Sequence, residues 1–220
     1  MEYDPGLELS RAQGLDAEKL AGEIRDIGFE CRRCGECCRG EDEHVAVFPF
    51  EVRALVGATG LKWLDVAAPP ESQDIDMEGN MHSFEWVLRR ANGNCRFLGC
   101  GCKECTVYGA RPLLCRTYPF FIDGERLQVS KCRGLGSPIS VERSLELAQV
   151  LKLRLITEIE ETVRLFSRFR GFRMGSRNQC VKERGKGSWR VGRPGNGTCI
   201  VHDSAGTWVI RGREFAGRQP

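Results

Sequence analysis

Four thiols fall within the eight residues from Cys31 to Cys38, CRRCGECC, and any fold open to this chain must accommodate them. Two residues separate Cys31 from Cys34, and two separate Cys34 from Cys37. Thiolates at that spacing can turn back onto one metal centre, because the intervening backbone closes a tight loop. Gly35 follows the second cysteine, and a glycine there permits a left-handed turn that aims backbone N–H groups at sulfur. Cys38 is the odd member. Adjacent side chains tend to point apart, so Cys37 and Cys38 are expected to serve two centres, or one of them to stand behind the ligands as a supporting thiol. A set of four small buried hydrophobes is the weaker reading, since cysteine chemistry usually outweighs cysteine packing.

The chain has 220 residues, 41% of them apolar, enough for one substantial domain with an appendage. No apolar run reaches the roughly 18 residues of a membrane span, so no membrane partner is expected. The start, MEYDPGLELS, is acidic and carries no apolar signal segment, which points to the cytoplasm. In a reducing compartment the 12 cysteines read as metal ligands rather than disulfides. The net charge of +3 conceals an asymmetry: from Arg168 onward there are 12 Lys and Arg against 3 Asp and Glu. A basic, glycine-rich tail on an acidic-leaning body is suited to meeting a polyanion.

Along the chain, residues 1–14 have no clear pattern. Asp16 caps a short helix carrying Leu20, Ile24 and Ile27, which ends at Gly28. His44 to Phe48 reads as a strand, and Pro49 suits the first turn of a helix to about Val56. Leu61 to Val66 gives another helical turn. Pro69 to Asn80 is a polar connector. Phe84, Trp86 and Leu88 alternate as a strand, Asn92-Gly93-Asn94 turns the chain, and a second strand carries Cys95, Phe97 and Leu98. Arg111-Pro112 opens a short helix that brings Cys115 round. Asp123-Gly124 marks a hairpin between Phe120 and Val129. Ser137 or Ser140 begins the longest helix, to about Phe169, with Leu145, Ala148, Leu151, Leu155, Ile159, Val163 and Phe166 at helical spacing as a core-facing stripe. Gly171 ends it. Short strands are expected near Trp189, Val191, Cys199 to His202 and Thr207 to Ile210.

Four motifs follow one another: CRRCGECC, CRFL, CTVYGARPLLCRTYPF and CRGLG. In that order, with Tyr-x-x-Arg-Pro between two cysteines, they resemble the YkgJ-type cysteine-cluster family, a zinc- or iron-chelating domain. The resemblance covers Phe29 to Gly136. It implies the ligand set Cys31, Cys34, Cys37, Cys38, Cys95, Cys105, Cys115 and Cys132. A related cluster in flagellin lysine-N-methylases gives an enzymatic precedent. The chain departs from the family pattern at Cys100 and Cys102, either of which could replace a ligand or hold an extra ion. Cys180 and Cys199 lie outside it and read as buried tail residues.

Local charge supports ligation independently. Of 14 non-cysteine neighbours of these eight cysteines, seven are basic: Arg32, Arg33, Arg39, Arg96, Arg116, Lys131 and Arg133. Cations favour the thiolate that binds metal and offset an all-thiolate site. C-x-x-C-x-x-C with a remote fourth ligand is the spacing of an iron–sulfur cluster, but the local Cys-Pro ending is missing. Four-thiolate zinc sites accept the same pairs. His44, His82 and His202 fall in no ligand-spaced motif and read as ordinary residues. No P-loop, Rossmann glycine motif, HExxH or nucleophile elbow occurs.

These features predict an α+β protein: a small, irregular, metal-centred domain with short strands, a long packing helix and a β-containing basic tail. The expected divisions are 1–28 as a helical lead-in, 29–136 as the cysteine-cluster domain, 137–170 as the long helix and 171–220 as the tail. The leading functional expectation is chelation of zinc or iron in a structural or metal-handling role, with a 4Fe-4S cluster as the variant. A protein-modifying iron–sulfur enzyme is the second. A nucleic-acid binder using the tail is the third, with Arg184, Lys186, Arg190 and Arg193 as phosphate contacts and Trp189 and Trp208 as stacking surfaces.

Overall fold

In the computed structural model, residues 4–39, 44–70, 74–76, 80–99, 101, 104–169 and 198–211 are described. The fold is mixed α+β, with small sheets arranged around helices. Helix α1 (Pro5–Gly14) is an addition to the sequence reading. Its start is set by Asp4, whose carboxylate accepts from the Gly6 and Leu7 amides, with Pro5 in the first turn. Only Ala12 is buried on it, so it carries almost no apolar stripe to read. Helix α2 (Ala17–Ile27) begins and ends as expected, capped by Asp16 and stopped at Gly28, where φ is 72°.

Strand β1 (Ala46–Val47) is shorter than the HVAVF run. Helices α3 (Pro49–Thr59) and α4 (Trp63–Val66) follow, then β2 (Ala67–Ala68) and β3 (Asp74–Ile75). The last lies inside the stretch read as a connector, where two residues are too few to show alternation. Next come β4 (Met81–Ser83), β5 (Trp86–Leu88), β6 (Arg90–Ala91) and β7 (Asn94–Cys95). Asn92 and Gly93 have φ of 52° and 72°, the doubly left-handed turn that Asn-Gly favours. Asn94 is therefore already in the strand, paired with Ala91.

Helix α5 (Leu113–Thr117) leads into the hairpin of β8 (Phe120–Asp123) and β9 (Arg126–Val129). Asp123 pairs with Arg126, so the loop is Gly124-Glu125, one residue later than read, with the positive φ of 62° falling on Gly124. Helix α6 (Val141–Arg168) is capped by Ser140, which accepts from the Arg143 amide. On its stripe Ala148, Leu151 and Ile159 are buried, whereas Phe166 is 65% exposed. Strands β10 (Thr198–Asp203) and β11 (Gly206–Arg211) complete the fold. Gly171, Trp189, Val191 and the basic residues Arg184, Lys186, Arg190 and Arg193 lie outside the described residues, as do Cys100, Cys102 and Cys180.

Two apolar cores result. One joins Val52, Leu55, Trp86, Phe97, Cys199 and Val201, drawing the sheet β1-β5-β2 against β10 and β11. The other joins Leu20, Ile24, Phe120, Ala148 and Leu151, where α2 and the β8–β9 hairpin meet α6. Lys152 Nζ donates to the Leu15 carbonyl at 2.8 Å and fixes the α1–α2 junction on α6. Strand β10 runs parallel to β4 in a second sheet ordered β11-β10-β4-β3. Trp86 Nε1 donates to Asp203 Oδ2 at 2.7 Å, tying the β10–β11 turn to β5. Trp208 stacks on Trp63 with centroids 4.7 Å apart. Among the described residues no helix is long and apolar enough to cross a membrane.

The parallel pairing brings His82 and His202 together. Both are buried, their rings are stacked within 2° of parallel, and His82 Nδ1 lies 2.9 Å from His202 Nε2. Asp76 Oδ2 accepts from His82 Nε2 at 2.9 Å. Burial first, then the His82 ring, holds His202 below its ordinary 6.5, while Asp203 opposes this. The unfolded chain therefore binds a proton that the native state resists. Stability falls as pH drops through about 6.5 towards the lower native value. Hydrogen exchange of the β10–β11 amides should accelerate between pH 7.5 and 5.5, after correction for intrinsic rates. His202→Gln should flatten that slope; an unchanged slope would contradict the assignment.

Candidate metal centre

The cysteine loop starts where α2 stops. A backbone clasp holds its first residues: Phe29 bridges Leu135, the Glu30 amide donates to the Gly134 carbonyl at 3.0 Å, and the Gly136 amide donates to the Gly28 carbonyl at 3.0 Å. This clasp sets Cys132 beside Cys31 and Cys34. Gly134 is needed there, since a Cβ on it would collide with the Glu30 carbonyl oxygen. Its amide donates to Cys132 Sγ at 3.4 Å. The apolar side chains of the clasp, Phe29 and Leu135, pack on the α6 core.

Gly35 adopts the left-handed conformation expected of it, with φ 71°, and starts a 3₁₀ turn over Glu36–Cys38. On that turn the neighbouring sulfurs do not diverge as an extended chain would make them. Cys37 and Cys38 Sγ are 3.9 Å apart. Arg39 then bridges Asn94, and Arg90 reaches the carbonyls of Cys38 at 3.4 Å and Gly93 at 2.7 Å. Cys38 is thereby brought to Cys95. Leu98 bridges Cys105, with the Thr106 amide donating to the Phe97 carbonyl at 2.8 Å, so Cys105 folds back towards Cys95.

Cys115 arrives on α5, whose start is held by the buried Glu51. One carboxylate oxygen of Glu51 accepts from the Leu113 amide at 2.7 Å, and the other accepts from the Phe48 amide at 2.9 Å. A single side chain thus caps α3 and α5 together. Burial pushes its carboxyl upward, against the pull of those two amides. Cys38, Cys105 and Cys115 pack against the Trp86 core, which includes Cys95 itself.

The electrostatics define two overlapping groups. The Cys38 thiol is held between Cys37 and Cys95, and hydrogen bonds to those two sulfurs keep its proton on, driving it far above the ordinary 9.0. The same bonds lower Cys37 and Cys95 from 9.0 to about 7, helped by Arg111 at Cys37 and by the Phe97 amide and Arg90 at Cys95. Cys115 is pushed up to about 12, by burial first and then by the charges of Cys95, Cys37 and Cys105. Cys105 rises for similar reasons. Cys132 is raised by burial and by Cys34, Cys31 and Cys37, against its Gly134 hydrogen bond. Cys37 therefore belongs to both neighbourhoods.

The fold thus brings Cys37, Cys38, Cys95, Cys105 and Cys115 near one another and Cys31, Cys34 and Cys37 near Cys132, two groups that share Cys37 and form one seam. Cys199 is separate, fully buried among apolar residues. Among the described residues no three His, Cys, Asp or Glu side chains already stand in the geometry of a formed metal site. The chemistry of the set nevertheless suits zinc or iron: every donor is sulfur, backbone amides donate to several of them, and guanidinium groups lie alongside. Arg90 and Arg111 supply that charge without adjoining a cysteine in sequence. Only the Tyr-x-x-Arg-Pro segment hinted at Arg111.

A sulfur-donor chelating domain is the class these features define. Residues 30–134 match the model of the CxxCxxCC family, described as a putative zinc- or iron-chelating domain. No curated protein and no solved structure matches the chain.

Gly134→Ala should force the clasp open and cost about 2–3 kcal/mol, because the new methyl meets backbone rather than a movable side chain. Gly109→Ala, with nothing within 4 Å, should be nearly silent. Equal melting temperatures for the two variants would contradict the role given to the clasp.

Proposed function

We propose that this protein binds two zinc or iron ions through its eight clustered cysteines, and that the metal ties the segments between Cys31 and Cys132 into one body. The observation that carries this reading is the convergence of five separate segments on one seam by sulfur alone. Around Cys132 lie Cys31, Cys34 and Cys37, and these four make one thiolate set. Cys38, Cys95, Cys105 and Cys115 make the other. Each set supplies the four sulfurs of a tetrahedral structural site. Cys37 and Cys38, on one turn, then face two neighbouring ions.

Metal binding at such sites adds directly to folding free energy, on the order of 10 kcal/mol for structural zinc. The strands around the seam are two or three residues long and could not fix it by themselves. In anaerobically purified protein, Cys132→Ser and Cys115→Ser should each lose about half of the bound metal. The double change of Cys100 and Cys102 to serine should lose none. Chelation should lower the melting temperature. Full metal content in both single variants, or unfolding indifferent to chelator, would overturn the reading.

An iron–sulfur centre would draw on the same sulfurs. One observation favours an enzymatic use of it: Cys31 is exposed in the wall of an open cleft. Visible absorption near 400 nm in the anaerobic protein, with inorganic sulfide by assay, separates this second reading from simple ion chelation.

A further inference from the structure

The cleft beside Cys31 has a volume of about 680 Å³, within the size range of small-molecule sites. It opens between the first residues of the cysteine loop, the Tyr108–Tyr118 segment and the first turns of α6. Four arginines line it, Arg33, Arg111, Arg116 and Arg143, against two carboxylates, Glu30 and Glu146. Arg143 pairs with Glu146 at 2.7 Å, but both side chains are largely exposed, so the pair screens little. Among the described residues Arg33, Arg111 and Arg116 have no carboxylate partner.

Two of these cations are held close together. The Arg111 guanidinium carbon sits 3.6 Å from the Tyr108 ring centroid, and that of Arg33 sits 4.5 Å from the same centroid. Arg111 is fixed further by donating to the carbonyls of Tyr108 at 3.1 Å and Cys115 at 3.3 Å. Two guanidinium groups on one ring repel each other, and no carboxylate among the described residues pairs with either, although Arg111 also faces the Cys37 thiol. The cleft wall also includes Ser140 at the start of α6, where the helix dipole is positive. Phe29, Ile139, Leu147 and Val150 give the lining an apolar part, beside the polar Gln149 and Tyr118.

We infer that this cleft binds a small organic anion: an apolar body against Phe29, Ile139 and Leu147, and a carboxylate or phosphate among Arg33, Arg111, Arg116 and Arg143. Arginine pairs suit both oxyanions because their fork matches two oxygens. The bound molecule lies against Cys31. Its placement beside a metal rests on the chelation reading; its binding to the arginines does not.

The test is isothermal titration of the full chain, as purified under anaerobic conditions, with phenyl phosphate, benzoate and benzyl alcohol. Metal content is measured in every sample. One or both anions should bind about tenfold or more tighter than the alcohol, and the tighter of the two identifies phosphate or carboxylate as the group recognised. The double variant Arg116→Gln/Arg143→Gln, both at exposed positions, should weaken that anion about tenfold or more. Arg126→Gln, on the β8–β9 hairpin outside the cleft, should leave it unchanged. Equal binding of alcohol and anions, or unaltered affinity in the double variant, overturns the inference. Arginine-dependent binding by protein that holds no metal would uphold the cleft and count against the chelation reading. Retained metal without anion binding would do the reverse.

Discussion

Gathered thiolates repel one another, and a protein that assembles eight cysteines on one seam needs a cation among them or must keep them protonated. That constraint runs through the whole site. Cys38 holds its proton between two sulfurs, Cys115 is pushed up to about 12, and Cys37 and Cys95 are lowered to about 7 by the Cys38 thiol first, with help from N–H donors and guanidinium groups. A divalent ion would remove the conflict in each set by replacing protons. The surrounding fold supplies approach and second contacts rather than a closed cage.

The two cores divide that labour. The clasp between residues 28–30 and 134–136 rests on the α6 core and delivers Cys31, Cys34 and Cys132. The Trp86 core, with Glu51 bracing α3 to α5, delivers Cys38, Cys95, Cys105 and Cys115. The 3₁₀ turn at Cys37 and Cys38 is the point where the two deliveries meet. A change far from sulfur, such as one at Gly134 or Glu51, therefore acts on a group of cysteines through backbone position.

Much of this was legible in the residues. Asp16, Ser140, Pro49 and Asn92-Gly93 each mark a boundary through a local interaction, and local chemistry can be read in order along a chain. The eight cysteines stand out for the same reason. What escaped was non-local or too weakly patterned. Helix α1 buries only Ala12, so no stripe announced it. The pairing of β4 with β10, and the His82–His202 contact it creates, joins residues 120 apart. Arg90 and Arg111 act on sulfurs they do not adjoin in sequence. The closeness of Cys37 and Cys38 depends on a helical rather than extended backbone, which their adjacency alone does not specify.

The proposed centre is held by sulfur alone, from both cysteine groups. X-ray absorption at the metal edge of anaerobically purified full-length protein, with metal counted per chain, addresses it most directly. Two metals per chain are expected, each with four sulfurs at about 2.3 Å. Nitrogen or oxygen ligands in the first shell, or protein that folds fully and retains no metal, would contradict it.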